Sequence, residues 1–186
     1  MIAGGARIGP DVQYSLLFVF TLSYLTTALH QSRALALAAV SIGGACNALA
    51  VPCFGALSDR IGRRPTYGCG VILALGWAFA YFRLLDTADI GLILGAVASG
   101  FLSHAIMYGP QAAFITEQFP TQVRYAGSSL AYTVVGIVGG GIAPVIFASL
   151  WRAYGTAAMS LYMGAALVVS AVVILLARET SHLPLE

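Results

Sequence analysis

The sequence predicts an all-α membrane protein built from six transmembrane helices, and three observations carry that expectation. Of 186 residues, 59% are hydrophobic and only 9% are charged, far from the usage of water-soluble domains. The nine basic residues, all arginine, and the seven acidic ones are placed so that six long stretches carry no charge. Each stretch is close to or above the roughly 20 residues that a helix rising about 1.5 Å per residue needs to cross hydrocarbon.

The charge-free stretches are 12–32, 34–58, 65–82, 90–116, 125–151 and 153–177, with lengths of 21, 25, 18, 27, 27 and 25 residues. The first opens after Asp11 and has Tyr24 near its centre. Asn47 lies at the centre of the second, which also holds Pro52. The fourth carries His104 near its middle and Pro110 beyond it; the fifth contains Pro144. Helices buried in a large soluble bundle would show a charged outer stripe every three or four residues, and none of these does. Gly91 with Gly95, and Gly136 with Gly140, place small residues four apart, the pattern that lets helices approach closely in lipid. Proline inside a span removes a helix hydrogen bond, so neighbours or a cavity must satisfy the freed carbonyl.

Domain organisation follows from the same marks: an N-terminal segment 1–11, a six-helix bundle 12–177 and a tail 178–186. The connections are too short for a soluble domain. The N-terminal segment is a Gly/Ala/Pro mixture and the first run is longer than a signal core, so no cleaved leader is expected. With six spans both termini share a side. That side collects Arg7, Arg60, Arg63, Arg64, Arg124 and Arg178 against Arg33, Arg83 and Arg152 opposite, which makes the termini cytoplasmic in a cell membrane.

Several function classes are disfavoured. Cys46, Cys53 and Cys69 lie in apolar runs without CxxC spacing, so no metal or other cofactor is expected. There is no GxSxG, HExxH or GxxxxGK motif, so no enzyme is expected, and nothing supports nucleic-acid binding.

The most specific motif is the loop Gly55-Ala56-Leu57-Ser58-Asp59-Arg60-Ile61-Gly62-Arg63-Arg64, of the form GxxxDRxGRR. Gly55 permits close packing at a helix end, and Gly62 permits a tight turn. Asp59 can accept from helix N-terminal donors or pair with arginine, and the arginines suit an anionic leaflet. A loop that only sets orientation would need the arginines but not the Gly and Asp spacing.

This loop resembles the signature of the major facilitator superfamily. A second stretch narrows the resemblance: Tyr108-Gly109-Pro110-Gln111-Ala112-Ala113-Phe114, then Glu117 to Gly127, and Gly139-Gly140-Gly141-Ile142-Ala143-Pro144. It is similar to the tenth and eleventh helices of the metabolite:proton symporters, although Gln122 stands where that family often has a basic residue. The resemblance covers about 12–178 and implies the second half of a major facilitator fold, two inverted three-helix repeats. It implies transport of a small metabolite such as proline or betaine, shikimate, α-ketoglutarate or citrate, driven by protons through alternating access. Gly55, Asp59, Arg60, Gly62, Arg63 and Arg64 would form the cytoplasmic gate, joined by Glu117 and Arg124, whose alternative is a solvated surface pair worth little.

His104, Tyr108 and Gln111 follow i, i+4, i+7 spacing and project from one helix face. Ionisable groups inside membranes are costly and mark functional sites. His104 is read either as a substrate or proton group or as a neutral ring bonded to a neighbouring carbonyl. Tyr24 and Asn47, at the centres of their runs, are read as substrate groups or as interhelical hydrogen-bond partners. The partners implied are a small-molecule substrate, protons, the lipid bilayer, and an N-terminal six-helix half or a second copy. The alternative is a truncated half that is only a structural fragment until such a partner completes it.

Overall fold

The computed structural model describes residues 2–177 and 179. Helix α1 (Ile2–Ser15) passes through a π-helical segment (Leu16–Phe20) into α2 (Thr21–Thr27) without leaving helical backbone angles. Thr21 closes the wide turn twice over, through its N–H and through its hydroxyl, which donates to Leu16 O at 2.8 Å. After a turn with His30 at positive φ comes α3 (Arg33–Ile61), opened by Ser32, whose Oγ accepts from Leu35 N at 3.2 Å. A single residue, Gly62, separates α3 from α4 (Arg63–Leu85); its φ of +107° is a conformation that favours glycine. Asp89 caps α5 (Ile90–Glu117) by accepting from Leu92 N at 2.9 Å. The chain continues through α6 (Arg124–Val135), a second π-helical segment (Gly136–Ile142) and α7 (Ala143–Leu176).

Among the described residues four helical stretches are long and apolar enough to cross a membrane: α3, α4, α5 and the 53 residues from Arg124 to Leu176. Fifty-three residues of straight helix would extend about 80 Å, far beyond a hydrocarbon core of about 30 Å. The stretch is not straight, because Gly155 leaves the helical region at φ +75°, ψ −168°.

Helix α5 packs on α3 and α4, while α7 packs on α1 and α4. Tyr67, Tyr81, Phe101, Phe114 and Phe147 fill the interior together with Leu16 and Leu17. The outer surface is apolar as well: Leu49 is 75% exposed, Ile72 70% and Leu175 67%. In water such a surface would drive association; in hydrocarbon it is the suitable exterior.

The helix distortions are satisfied by neighbouring helices. Pro10 lacks the N–H that would bond Ala6 O, and Tyr67 Oη donates to that carbonyl at 2.9 Å. Before Pro144, at the end of the second π-helical segment, Ser15 Oγ donates to Gly140 O at 2.9 Å and lies 3.4 Å from Gly139 O. The close helix approaches are not where the glycine spacing places them. A Cβ on Gly95 or Gly140 would meet nothing within 4 Å, and one on Gly91 or Gly136 would meet only the Asp89 or Arg7 side chain, so neither pair brings two helix backbones together within the chain. Gly109 does: a Cβ there would lie 2.7 Å from Gly55 N and 2.8 Å from Val51 O, so α5 crosses α3 backbone to backbone.

The first helix also begins earlier than the charge pattern suggests. Residues 2–11, set apart by composition, are helical, and Ala6, Gly9, Pro10 and Asp11 are buried in the bundle. The tail 178–186 lies, apart from Glu179, outside the described residues.

Candidate functional site

At the α3–α4 joint the GxxxDRxGRR loop is tied to three other parts of the bundle. The sharp turn at Gly62 directs Arg63 back along α3, where its Nη1 bonds Ser58 Oγ at 2.9 Å and pairs with Asp59 Oδ1. Its Nη2 reaches Glu117 Oε1 at the end of α5, 3.4 Å away. The Arg63 and Glu117 side chains are each 15% exposed, whereas Asp59 is 60% exposed. An exposed i,i+4 pair contributes only about 0–1 kcal/mol, so the bond across to α5 is the stronger tie between elements.

Glu179, which the sequence reading did not single out, completes the arrangement. Its Oε1 accepts from Arg63 N at 3.1 Å and its Oε2 from Arg64 N at 2.9 Å, placing a carboxylate on the unsatisfied donors of the α4 N-terminus. In return Arg64 Nη2 donates to Leu175 O at 2.6 Å, on the free carbonyls at the α7 C-terminus. Each helix end is thus capped by a charge from the other. Gly55 lies against Gly109 of α5. Arg60 points outward, and Arg124 Nε donates to Phe119 O at 3.3 Å.

The second polar group lies at mid-length of the helices. His104 on α5 is buried, with Nδ1 3.0 Å from Asn47 Nδ2 of α3, and the same amide donates to Phe101 O at 2.8 Å. An amide nitrogen only donates, so Nδ1 is the acceptor and the ring proton sits on Nε2, the neutral tautomer. The His104 ring lies 5.2 Å from Tyr108 in a stacked arrangement and 5.4 Å from Tyr14 of α1. Tyr14 and Tyr108 are 45% and 42% exposed, whereas His104 and Gln111 are 2% and 1% exposed. The i, i+4, i+7 stripe therefore does not open uniformly outward: Tyr108 faces out, and the two buried members are held by α3 and α4. Tyr67 Oη lies 3.5 Å from Gln111 Oε1, and Gln111 Nε2 has no partner among the described residues.

Tyr24 requires a correction. Because the first helix starts at Ile2, Tyr24 falls near its far end rather than at the depth of His104. There its hydroxyl donates to Asp86 Oδ1 at 2.6 Å, inside a cluster with Phe20, Phe82 and Trp151. The first-helix residues at mid-length are Gln13 and Tyr14. Gln13 is fully buried and its Nε2 donates to Gly100 O at 3.0 Å and Ser103 Oγ at 2.9 Å. Both polar residues lie in the first charge-free run, and the available signal was that their depth depends on where the helix begins.

A helical bundle with an apolar exterior, polar groups buried at mid-length and an arginine-carboxylate clamp at one end fits a protein that spans a membrane. The family model described as Major Facilitator Superfamily matches residues 12–185, and the chain belongs to that superfamily. It is similar to an inner membrane metabolite transport protein of Escherichia coli (strain K12), 32% identical over 183 residues, covering 91% of this chain and 42% of the relative. It is similar to the shikimate transporter of the same organism, 30% identical over 166 residues, 88% of this chain and 38% of the relative. It is also similar to that organism's proline/betaine transporter, 32% identical over 193 residues, 98% of this chain and 36% of the relative. These relatives are transporters rather than enzymes, and the chain spans 36 to 42% of their length.

Proposed function

We propose that the chain is the C-terminal six-helix half of a proton-coupled symporter for small metabolites that carry a carboxylate. The observation that carries the reading is the buried His104 bonded to the half-buried Asn47 beside the open Tyr14 and Tyr108 rings, a polar group at mid-depth in an otherwise apolar bundle. Shikimate, proline and betaine, named for the relatives, are chemically different but each bears a carboxylate.

In this reading the six spans are Ile2–Thr27, α3, α4, α5, and the stretch Arg124–Leu176 divided in two at Gly155. The loop 58–65 and both ends face the cytoplasm. The arginine bias still favours this with the bundle-buried Arg7 set aside, since five arginines remain against three. Tyr14, Asn47 and Tyr108 line this half of a cavity whose other wall comes from an N-terminal half, with His104 and Gln111 buried behind them, the arrangement expected of two parallel repeats with a site near the midplane. The clamp at Arg63, Glu117 and Glu179 holds the cytoplasmic ends together in one state and parts in the other.

A second reading is favoured by the 36 to 42% coverage of the relatives: the chain alone is a structural fragment that becomes active only when a six-helix partner is present. The test of the function is uptake of labelled shikimate, proline and glycine betaine by transport-deficient cells making this chain with an N-terminal half. Accumulation that collapses with a protonophore is expected. Absence of accumulation for the whole panel, with both halves in the membrane, would overturn the symport reading.

A further inference from the structure

Helix α4 sets its basic ends a hydrocarbon thickness apart. Arg63 opens the helix and Arg83 lies in its last turn, twenty residues on, a rise of about 30 Å that matches the apolar layer of a bilayer. Arg63 is committed to Asp59 and Glu117. Arg83 comes to the opposite boundary, at the depth of lipid phosphates, where it is exposed and has no ion pair or hydrogen bond among the described residues. An arginine at that depth lays its stem over apolar surface and leaves its head for an anion or water.

Beside Arg83, α4 and the part of α7 beyond the Gly155 break enclose a cavity of about 300 Å³, lined by Phe79, Arg83 and Asp86 on one side and Thr156, Ser160 and Leu161 on the other. Ser160 is only 6% exposed, yet its hydroxyl has no partner among the described residues. A serine inside a helix can return its proton to a carbonyl three or four residues back, as Ser128 and Ser149 do here. A buried hydroxyl that does not, on the wall of a cavity, is a donor left for a ligand. A second hollow of about 420 Å³ shares Phe79 and Arg83 and is otherwise lined by Gly76, Ala80 and Leu84. An added Cβ on Gly76 would meet nothing within 4 Å. Phe79, 49% exposed, borders both hollows, and Leu161, 63% exposed, opens the first onto the apolar outer surface.

Asp86 follows Arg83 by three residues, which makes the two side chains neighbours on α4. They form no ion pair with each other; Asp86 Oδ1 accepts from Tyr24 Oη, and Oδ2 remains open. An unpaired cation and an unpaired anion, side by side at the mouth of an apolar hollow, complement a zwitterion with a greasy tail.

We propose that this hollow is a headgroup site for phosphatidylethanolamine, with the phosphate on Arg83 and Ser160, the primary ammonium on Asp86 and the acyl chains lying beside Phe79. A guanidinium and a hydroxyl suit a phosphate, and the two-carbon bridge of this headgroup spans neighbouring side chains three residues apart. A net anionic headgroup would set its charge against Asp86, and a choline headgroup brings no N–H for the carboxylate. Bound there, the lipid joins the end of α4 to α7 just past its break. The site lies apart from Tyr14, Asn47 and Tyr108, and the transport reading serves only to name its leaflet, the outer one.

The test is native mass spectrometry of the purified chain released from micelles that hold equal amounts of phosphatidylethanolamine, phosphatidylglycerol and phosphatidylcholine with identical acyl chains. Wild-type chain should retain one phosphatidylethanolamine in preference to the other two. Arg83→Gln should weaken that retention about tenfold, the scale of one lost charge-assisted hydrogen bond. Ser160→Ala should weaken it a few-fold. Asp86→Asn keeps an acceptor for Tyr24 and should still hold a lipid, but take phosphatidylglycerol as readily as phosphatidylethanolamine. Arg152→Gln, at the same end of the bundle but outside both hollows, should behave as wild type. Melting in lipid-free detergent should be the same for Arg83→Gln and wild type, since Arg83 is exposed and unbonded, so its loss of lipid is not a loss of fold. Equal retention of the three lipids by wild type, undiminished retention by Arg83→Gln, or an equal loss in Arg152→Gln would overturn the proposal, and none of these results bears on whether the chain transports.

Discussion

Glu179→Ala removes the acceptor of two backbone donors at the start of α4, Arg63 N at 3.1 Å and Arg64 N at 2.9 Å. Hydrogen bonds to a charged group contribute about 1.5–3 kcal/mol each when buried, and an anion at a helix N-terminus about 0.3–1 kcal/mol at the surface. Glu179 is partly exposed, so water replaces much of what is lost, and the net local loss is about 2 kcal/mol. At tenfold per 1.4 kcal/mol, opening of the first turn of α4 rises about thirtyfold. Amide hydrogen exchange read by mass spectrometry, on the chain in nanodiscs, measures this directly. Peptides covering Arg63 and Arg64 should exchange faster, while those around His104 should not change. Asp59→Asn is the internal comparison: its side chain is 60% exposed, so the expected effect is about 0–1 kcal/mol and at most a few-fold. Equal protection in Glu179→Ala and wild type, or a larger effect from Asp59→Asn, would refute the clamp geometry.

Other outcomes follow from single contacts. Gly109→Ala forces a methyl to within 2.8 Å of the α3 backbone and should destabilise the bundle by about 1–3 kcal/mol, whereas Gly95→Ala, in open space, should leave its melting temperature unchanged. Asp59→Asn in a completed transporter should cut uptake while membrane insertion stays normal, because it removes a charge but little shape; normal uptake by a well-expressed mutant would reduce the loop to an orientation signal. A cysteine at exposed Arg60, in a background lacking Cys46, Cys53 and Cys69, should resist an impermeant thiol reagent added to intact cells. Ser58 is unsuitable for this test, since it is fully buried and holds Arg63. Asn47→Leu removes the donor to His104 Nδ1 and should destabilise by about 1–3 kcal/mol, read as a lower melting temperature in detergent.

Charge gaps locate a helix well where its charges sit at its ends. The runs 34–58, 65–82 and 90–116 match Arg33–Ile61, Arg63–Leu85 and Ile90–Glu117 to within three residues at each end, because Arg33, Arg60, Arg63, Arg83 and Glu117 flank the apolar lengths. The same rule fails for the first helix. A method that marks spans by absence of charge must place Arg7 and Asp11 outside, although the two neutralise each other within the bundle. That shift carried Tyr24 to the centre on paper and hid Tyr14 and Gln13, the residues at mid-length. Asn47 and His104 are each at the middle of a correctly bounded helix, so their shared depth was legible, but not that they touch. Glu179 had no local signal, since its partners lie more than a hundred residues away and meet it only through the packing of α7 on α4. The break at Gly155 shows in the sequence only as Arg152 interrupting the apolar run, and the backbone places the turn three residues further on.

The most direct test of the central claim is gradient-driven uptake in proteoliposomes, comparing the purified chain alone with the chain reconstituted beside the N-terminal six helices of a relative such as the proline/betaine transporter. The labelled solutes are proline, glycine betaine and shikimate, with an inward proton gradient imposed across the bilayer. The account predicts that the chain alone inserts without accumulating any of them, and that the completed pair accumulates at least one until a protonophore is added. Robust gradient-driven accumulation by the isolated chain would contradict it and make these helices a whole transporter.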